Sequence, residues 1–480
     1  MRGFTSIAVA GLVATALVAP PASASFSAAD PAPTAAGADF NLDGFEDVVT
    51  GLPDYTVDGQ AAAGAVQVIL GGGEGSFLIT QNTEGVPDEA EAGDRFGQSV
   101  TAWYSPYDNY PNLVVGVPGE SVGDKAGAGM IHVFQGHAGG IFLDGYTYDQ
   151  DSGGMPGVAE AGDMFGWSLS GNIGGGGYRY GTLAIGAPGE DDNAVDAGSV
   201  YLIGNERIKV FSQDTAGIPG TQEKGDRFGW SVSILRDVLV VGVPYESIGS
   251  VAGAGLVQVF TVRRSATPNT DWPKPQPVVN LDQSMSGVAG VPETGDHFGM
   301  SVSIASEEGG ESTDYDFAVG VPDEDIGSVA NAGGVHEYEL EDPYADSSPA
   351  WSEHMAVNQG STGVPGKVET GDRFGSTVDA FTTVWGTTAL TVASAGEGTD
   401  ADIGTVPAIH VFSRQLHGGG AAWVRAGKYT VPGGETLSTV HLEGGPETLR
   451  IAAPDSTRIL GVPWENVLYG QHSPLVVHSV

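Results

Sequence analysis

A five-residue block, Gly-Asp-x-Phe-Gly, occurs five times in this chain: Gly93–Gly97, Gly162–Gly166, Gly225–Gly229, Gly295–Gly299 and Gly371–Gly375. A glutamate stands two positions before each copy (Glu91, Glu160, Glu223, Glu293, Glu369). Successive block phenylalanines lie 69, 63, 70 and 76 residues apart. Recurrence at such a period describes a repeat architecture, in which each unit buries its apolar faces against its neighbours. Repeats that close into a ring present a surface more readily than a buried catalytic pocket.

Between the blocks a second motif recurs, an apolar run ending in Gly-apolar-Pro. It occurs at Val48–Pro53, Leu113–Pro118, Leu183–Pro188, Val238–Pro244 and Phe317–Pro322, with degenerate copies at Leu390–Ala395 and Leu449–Pro454. Near-continuous Val, Leu and Ile describes a strand buried on both faces, and proline suits its end because it cannot donate to a ladder. A third element opens on Ala-Gly or a similar pair and alternates: Ala63–Leu70, Ala128–Phe134, Ala197–Ile203, Ala254–Phe260 and Ala332–Tyr338. Alternation such as Val66-Gln67-Val68-Ile69 predicts a strand with one wetter face. A fourth element ends in Gln ahead of each glycine turn, at Phe77–Gln81, Gly145–Gln150, Ile208–Gln213, Pro277–Gln283 and His354–Gln359.

Four short strands per unit, without helical periodicity, predict an all-β chain of propeller blades. The block phenylalanine is expected to fill the gap between adjacent blades, with Trp167 and Trp230 in the same layer. The block aspartates (Asp94, Asp163, Asp226, Asp296, Asp372) are expected to hold the turn by accepting backbone N–H bonds. Phe-Gly followed some 20 residues later by Gly186-Ala187-Pro188, or elsewhere by Gly-Val-Pro, resembles the FG-GAP repeat. That resemblance covers residues 37–460 and implies the fold of the integrin α amino-terminal domain, a seven-bladed β-propeller of four-stranded antiparallel blades. Seven copies of the apolar motif agree with seven blades. The weak first copy and the strand-like tail Pro474–Val480 suggest that the two chain ends complete one another.

Residues 1–24 read as a signal peptide: Arg2, an apolar run from Ile7 to Val18, and a small-residue cleavage site at Ala22-Ser23-Ala24. Residues 25–36 form an N-terminal segment and residues 37–480 the propeller. The run is too short to span a bilayer, so the mature chain is expected to be secreted, monomeric and without a transmembrane segment. It has no cysteine, and its stability must come from core burial, ring closure or metal ions. Sixty acidic residues against 19 Lys and Arg give a formal charge of −41, which excludes nucleic acid and anionic membranes as partners.

The acidic excess suits calcium, and one loop concentrates the ligands. Asp39-x-Asn41-x-Asp43-Gly44-x-x-Asp47 sets oxygen side chains around a turn glycine, with the Phe45 carbonyl as a further ligand for Ca²⁺. Thr50 at the twelfth position and the absence of flanking helices set it apart from an EF-hand. The FG-GAP family carries short calcium loops of this kind, and the alternative is a plain acidic hairpin turn. The corresponding stretches Ser105–Pro111, Asn172–Tyr180, Ser306–Tyr315 and Ile234–Asp237 lack the pattern. The clusters Glu190-Asp191-Asp192 with Asp196, and Asp323-Glu324-Asp325, read as solvated loop tips, with weaker ion sites as the alternative. Asp282-x-Ser284-x-Ser286 imitates a metal-dependent adhesion signature, but it aligns with the Gln-Asx turns of the other repeats.

Enzyme signatures such as Gly-x-Ser-x-Gly, His-Glu-x-x-His or a phosphate loop are missing from the sequence. The expectation is a secreted calcium-binding propeller acting as an extracellular binding or adhesion module toward a protein or glycan ligand, not an enzyme. The alternatives are a phospholipase-type extracellular hydrolase or its substrate-positioning subunit, and a structural role in a surface layer.

Overall fold

In a computed structural model the described residues run from 35 to 479, apart from 74, 106–109, 142, 173–180, 205–206, 263–274, 307–313, 345–349, 365, 383–387, 397–407, 418–419, 430–440, 445–447, 453–457 and 464–475. Side chains are described as far as residue 412. The signal peptide, the proline-rich insertion Arg263–Lys274 and Gly434–Val440 lie outside the described residues.

The chain is an all-β propeller of antiparallel sheets, each built from consecutive strands. The fourth sheet shows the pattern: Ser231–Leu235, Val238–Val243, Leu256–Thr261 and Gln276–Leu281, paired in that order. The motif count predicts seven four-stranded blades, but six four-stranded sheets form. The sheet after the first has five strands. Its third strand, Met130–His137, runs on and turns tightly at Gly139 and Gly140 to pair His137 with Gly140. A separate strand, Tyr146–Tyr148, then pairs with the start of Met130–His137. The first strand of each sheet contacts the first strand of the next, and the last sheet (His441–Gly444 onward) contacts both its predecessor and Ala35–Ala38.

The chain ends do not share a sheet, contrary to the sequence expectation. Ala35–Ala38 pairs with Asp47–Leu52, and Val476–Ser479 pairs with Arg458–Pro463. Each terminal sheet already has four strands from its own end of the chain, so neither needs a strand from the other.

Second strands are buried along their length, as their unbroken apolar runs require: Asn112–Val117, Leu183–Ala187, Val238–Val243 and Tyr315–Val321 have no exposed residue. The third strand Ala65–Leu70 keeps the expected wetter face at Gln67 and Ile69, but later third strands depart from expectation. Ser199–Gly204 and Leu256–Thr261 are buried on both faces, and the polar positions His132, Gln258, His336 and His410 are inside. Alternation there does not mark a wet face. It marks a polar ring or amide set against the block phenylalanine, edge-on in Phe96–His132, Phe165–Tyr201, Phe298–His336 and Phe374–His410.

The block itself belongs to two sheets at once. Phe228 N–H donates to Ala197 O of the preceding sheet at 2.8 Å, and Gly225 N–H to Val195 O at 2.9 Å. Its ring then fills the space between the sheets, 5.6 Å from Phe211 on one side and 6.3 Å from Phe260 on the other. Phe96, Phe165, Phe228, Phe298 and Phe374 are all 0% exposed. Trp167 and Trp230 pack with ring centroids 4.7 Å apart and planes tilted by 55°.

Truncation of such a ring removes dispersion contacts from two sheets and leaves a cavity. Phe228→Ala is expected to cost about 3–5 kcal/mol, read as a lowered denaturant midpoint, with the folded state's far-UV spectrum retained.

Candidate functional site

The loop Asp39–Asp47 connects Ala35–Ala38 to Asp47–Leu52, and it is wound by its own acids. Asp39 accepts the N–H of Asp43 at 3.0 Å and that of Gly44 at 2.9 Å. Asn41 Oδ1 accepts the Asp43 N–H at 3.0 Å, and its amide donates to Asp43 Oδ2 at 3.0 Å. Asp43 Oδ1 takes the Phe45 N–H at 2.8 Å. Leu42 and Gly44 adopt left-handed φ of 54° and 93°, which gives the chain its sharp return.

Asp47 plays a different part. It is 0% exposed and accepts N–H bonds from Phe40 and Gly71, each at 2.9 Å, so it pins the loop to the neighbouring turn. Burial raises its pKa first of all, the two backbone bonds oppose that, and Asp43 and Asp39 add repulsion. The Phe45 side chain is exposed over the glycine turn at Gly71-Gly72, where an added Cβ would strike it. The structure thus gathers Asp39, Asn41 and Asp43, and places Asp47 beneath them as an anchor. Each carboxylate oxygen so engaged keeps a further lone pair, so this all-oxygen donor set fits a hard cation such as Ca²⁺.

A second acidic feature recurs with the repeat, and the sequence reading missed most of it. The block aspartates do hold the turn: Asp163 accepts the Glu160 N–H at 2.6 Å and Asp226 the Glu223 N–H at 2.5 Å. Close by, in four of the repeats, sits the glutamate two residues after the proline of Gly-apolar-Pro, and the Gln ending the fourth element donates its amide to it. The pairs are Gln81–Glu120, Gln150–Glu190, Gln213–Glu246 and Gln283–Glu324. Glu190 and Asp323 are buried, not solvated loop tips, while Asp191, Asp192 and Asp325 are exposed. Asp282 accepts the backbone and hydroxyl of Ser284, an ordinary turn and no adhesion site.

Burial of paired acids shifts their titration. Desolvation, then repulsion from Asp163, lifts Glu190 to about 8. Desolvation likewise lifts Asp163 to about 7, Asp226 to about 7 and Glu324 to about 7. Tyr201 donates its hydroxyl to Glu190 Oε2 at 3.2 Å, and burial raises the phenol too.

The variable residue of each block is left-handed without being glycine: Arg95, Met164, Arg227, His297 and Arg373 have φ of 60°, 56°, 59°, 57° and 53°. Arg95, Arg227 and Arg373 use that position to reach Asp54, Asp196 and Asp323 at 3.6, 3.7 and 3.2 Å.

A profile of the FG-GAP repeat matches residues 218–260, which hold Phe228-Gly229 and Gly242-Val243-Pro244. Residues 218–260 thus carry an FG-GAP repeat, the motif of the integrin α propeller, and their Gly-Asp-x-Phe-Gly block occurs five times in this chain. Among curated proteins, phosphatidylinositol-glycan-specific phospholipase D of Mus musculus is 32% identical over 101 residues, that of Rattus norvegicus 30% over 105, and that of Bos taurus 29% over 103. Each match covers 21% of this chain and 12% of the relative, so the chain spans only a small part of those enzymes. No described helix is long and apolar enough to cross a membrane.

The FG-GAP acid pairs give a pH dependence of definite sign. Folded pKa values above the unfolded ones favour the protonated acids in the folded state. Their contribution is complete below the unfolded values of 4.5 and 3.8 and is lost as pH rises through about 7 to 8. Glu190→Gln is therefore expected to flatten the fall in melting temperature between about pH 5 and about pH 9. Parallel pH profiles of the variant and the parent protein would reveal an unaltered slope if the pair were not shifted.

Proposed function

We propose that the chain is a secreted FG-GAP propeller that binds an extracellular protein or glycan through its loops, with Ca²⁺ held by Asp39, Asn41, Asp43, the Phe45 carbonyl and Asp47. Residues 1–24 would direct export, and the five-stranded sheet would serve as the seventh blade of the ring. The observation that carries this reading is the stitching of each block to the preceding sheet. Every repeat is fixed to its neighbour through main chain and a buried ring, which leaves the connecting loops free to vary. A rigid frame with divergent loops loses little conformational entropy on binding, the property a display surface needs. FG-GAP propellers typically serve binding, not catalysis.

Calcium has a local role in this account. The loop's acids repel one another, and only backbone N–H groups and the Asn41 amide oppose that repulsion. A divalent ion among Asp39, Asn41 and Asp43 would stiffen the hairpin leading into the first sheet.

The second reading, an extracellular hydrolase of the phospholipase type or a substrate-positioning part of one, draws on the likeness to phosphatidylinositol-glycan-specific phospholipase D. That likeness covers 12% of the enzyme and does not favour catalysis in this chain. Incubation with a phosphatidylinositol-glycan-anchored reporter separates the two. Release of the reporter would overturn the binding-module reading, whereas retention with measurable capture supports it.

Thermal unfolding in calcium, magnesium and EDTA tests the ion. Binding to the folded state alone stabilises by about 2.7 kcal/mol when free calcium is about 100 times Kd. The expected result is a calcium-specific rise in melting temperature that Asp43→Ala abolishes. Equal melting in calcium and EDTA would remove the ion from this loop.

A further inference from the structure

One buried position of the third strand changes from histidine in the second repeat to tyrosine in the third, and it bears on a nearby group of acids. In the third repeat Tyr201 lies opposite Ile185 in the sheet, with its ring edge-on to Phe165 at 5.1 Å and 79°. From there its hydroxyl reaches Glu190 Oε2 at 3.2 Å and receives the Gln150 amide at 2.9 Å. In the second repeat His132 lies opposite Val115, one residue before the motif glycine just as Ile185 is, and its ring meets Phe96 at 5.3 Å and 78°. By register and by this edge-on contact the imidazole of His132 is the counterpart of the Tyr201 phenol, as Glu120 is of Glu190.

His132 is 0% exposed, yet neither Nδ1 nor Nε2 has a hydrogen-bond partner. A buried polar group without a partner is costly, typically about 1–3 kcal/mol. In the same repeat, the ligand oxygens of Glu91, Asp94 and Glu120 all lie within 4.8 Å of one another. Ligands about 2.0–2.2 Å from one ion can be at most roughly 4.4 Å apart, so small side-chain adjustments close the set around a metal. Asp94 and Glu120 are buried, Glu91 is exposed and gives ions a way in, and the Gln81 amide holds Glu120 from behind at 2.8 Å.

We propose that Glu91, Asp94, Glu120 and His132 form a binding site for one divalent transition-metal ion. Three carboxylates alone would suit calcium, but an imidazole donor turns the preference toward ions such as Zn²⁺ or Mn²⁺. The second-sphere amide of Gln81 orients Glu120 as outer partners of metal sites do. In the third to fifth repeats the corresponding polar groups are already engaged: Tyr201 by Glu190, Gln258 by Pro219 O and His336 by Glu353.

The test is calorimetric titration of the EDTA-stripped full chain with zinc chloride, in excess calcium to saturate the loop at Asp39–Asp47. One zinc per chain is expected, with a Co²⁺-loaded form showing ligand-field absorption of a nitrogen-containing site. His132→Tyr installs the residue that the third repeat already carries, so the fold is kept; zinc binding and the Co²⁺ spectrum are expected to disappear. Glu91→Gln, at an exposed position, is expected to weaken binding about 10-fold or more. Asp43→Ala is expected to leave zinc binding unchanged. Absence of stoichiometric zinc, unchanged uptake by His132→Tyr, or loss of uptake in Asp43→Ala would each overturn the assignment.

Discussion

Two glycines facing each other across consecutive sheets set the spacing on which this structure depends. A Cβ placed on Gly242 would lie 2.1 Å from the carbonyl oxygen of Gly299, a distance no side chain tolerates. The same approach recurs between Gly51 and Gly97, Gly116 and Gly166, Gly186 and Gly229, and Gly320 and Gly375, at 1.9 to 2.1 Å. The first of each pair is the glycine of Gly-apolar-Pro and the second closes the block of the next repeat. A serine hydroxyl meets the same carbonyl at four of these junctions: Ser99, Ser168, Ser231 and Ser301 donate at 2.8, 2.8, 2.8 and 3.0 Å. The two halves of the motif, separated in sequence, are thus one contact in space.

From that contact the rest follows in order. Sheets held so close at their inner strands leave a wedge that widens outward, and the block phenylalanine fills it. The polar group on the third strand then lies over the phenylalanine, where it can meet the acid that follows the proline. Asp163, Glu190, Gln150 and Tyr201 form such a network in the third repeat. The second repeat keeps the frame and substitutes histidine for the tyrosine. A repeat architecture lets one copy acquire chemistry while its neighbours keep the ring intact.

Much of this was legible in the sequence because the contacts that hold the frame are made by residues with few substitutes. Glycine at a close approach, phenylalanine in a wedge and an unbroken apolar run each admit little variation, so the block, the second strands and the blade type were readable. The turn at Asp39–Asp47, wound by Asp39, Asn41 and Asp43, is a local pattern of the same kind. Pairings between distant residues were not. Gln150 and Glu190 are 40 residues apart, and nothing in either segment announces the other. Several third strands misled because alternation reports a polar side chain without saying whether water or another side chain receives it. The fifth strand of the second sheet depends on a turn at Gly139-Gly140 that resembles any other glycine pair, and the separate completion of the terminal sheets depends on pairings beyond the motif.

The central claim is that the glycine-to-glycine junction couples neighbouring sheets into one cooperative unit. Hydrogen–deuterium exchange of the parent protein and Gly242→Ala, followed peptide by peptide, tests it most directly. Coupling predicts that protection falls together in the sheet holding Val238–Val243 and in the next sheet, which holds Tyr315–Val321. Loss of protection confined to the sheet that carries the substitution would contradict it.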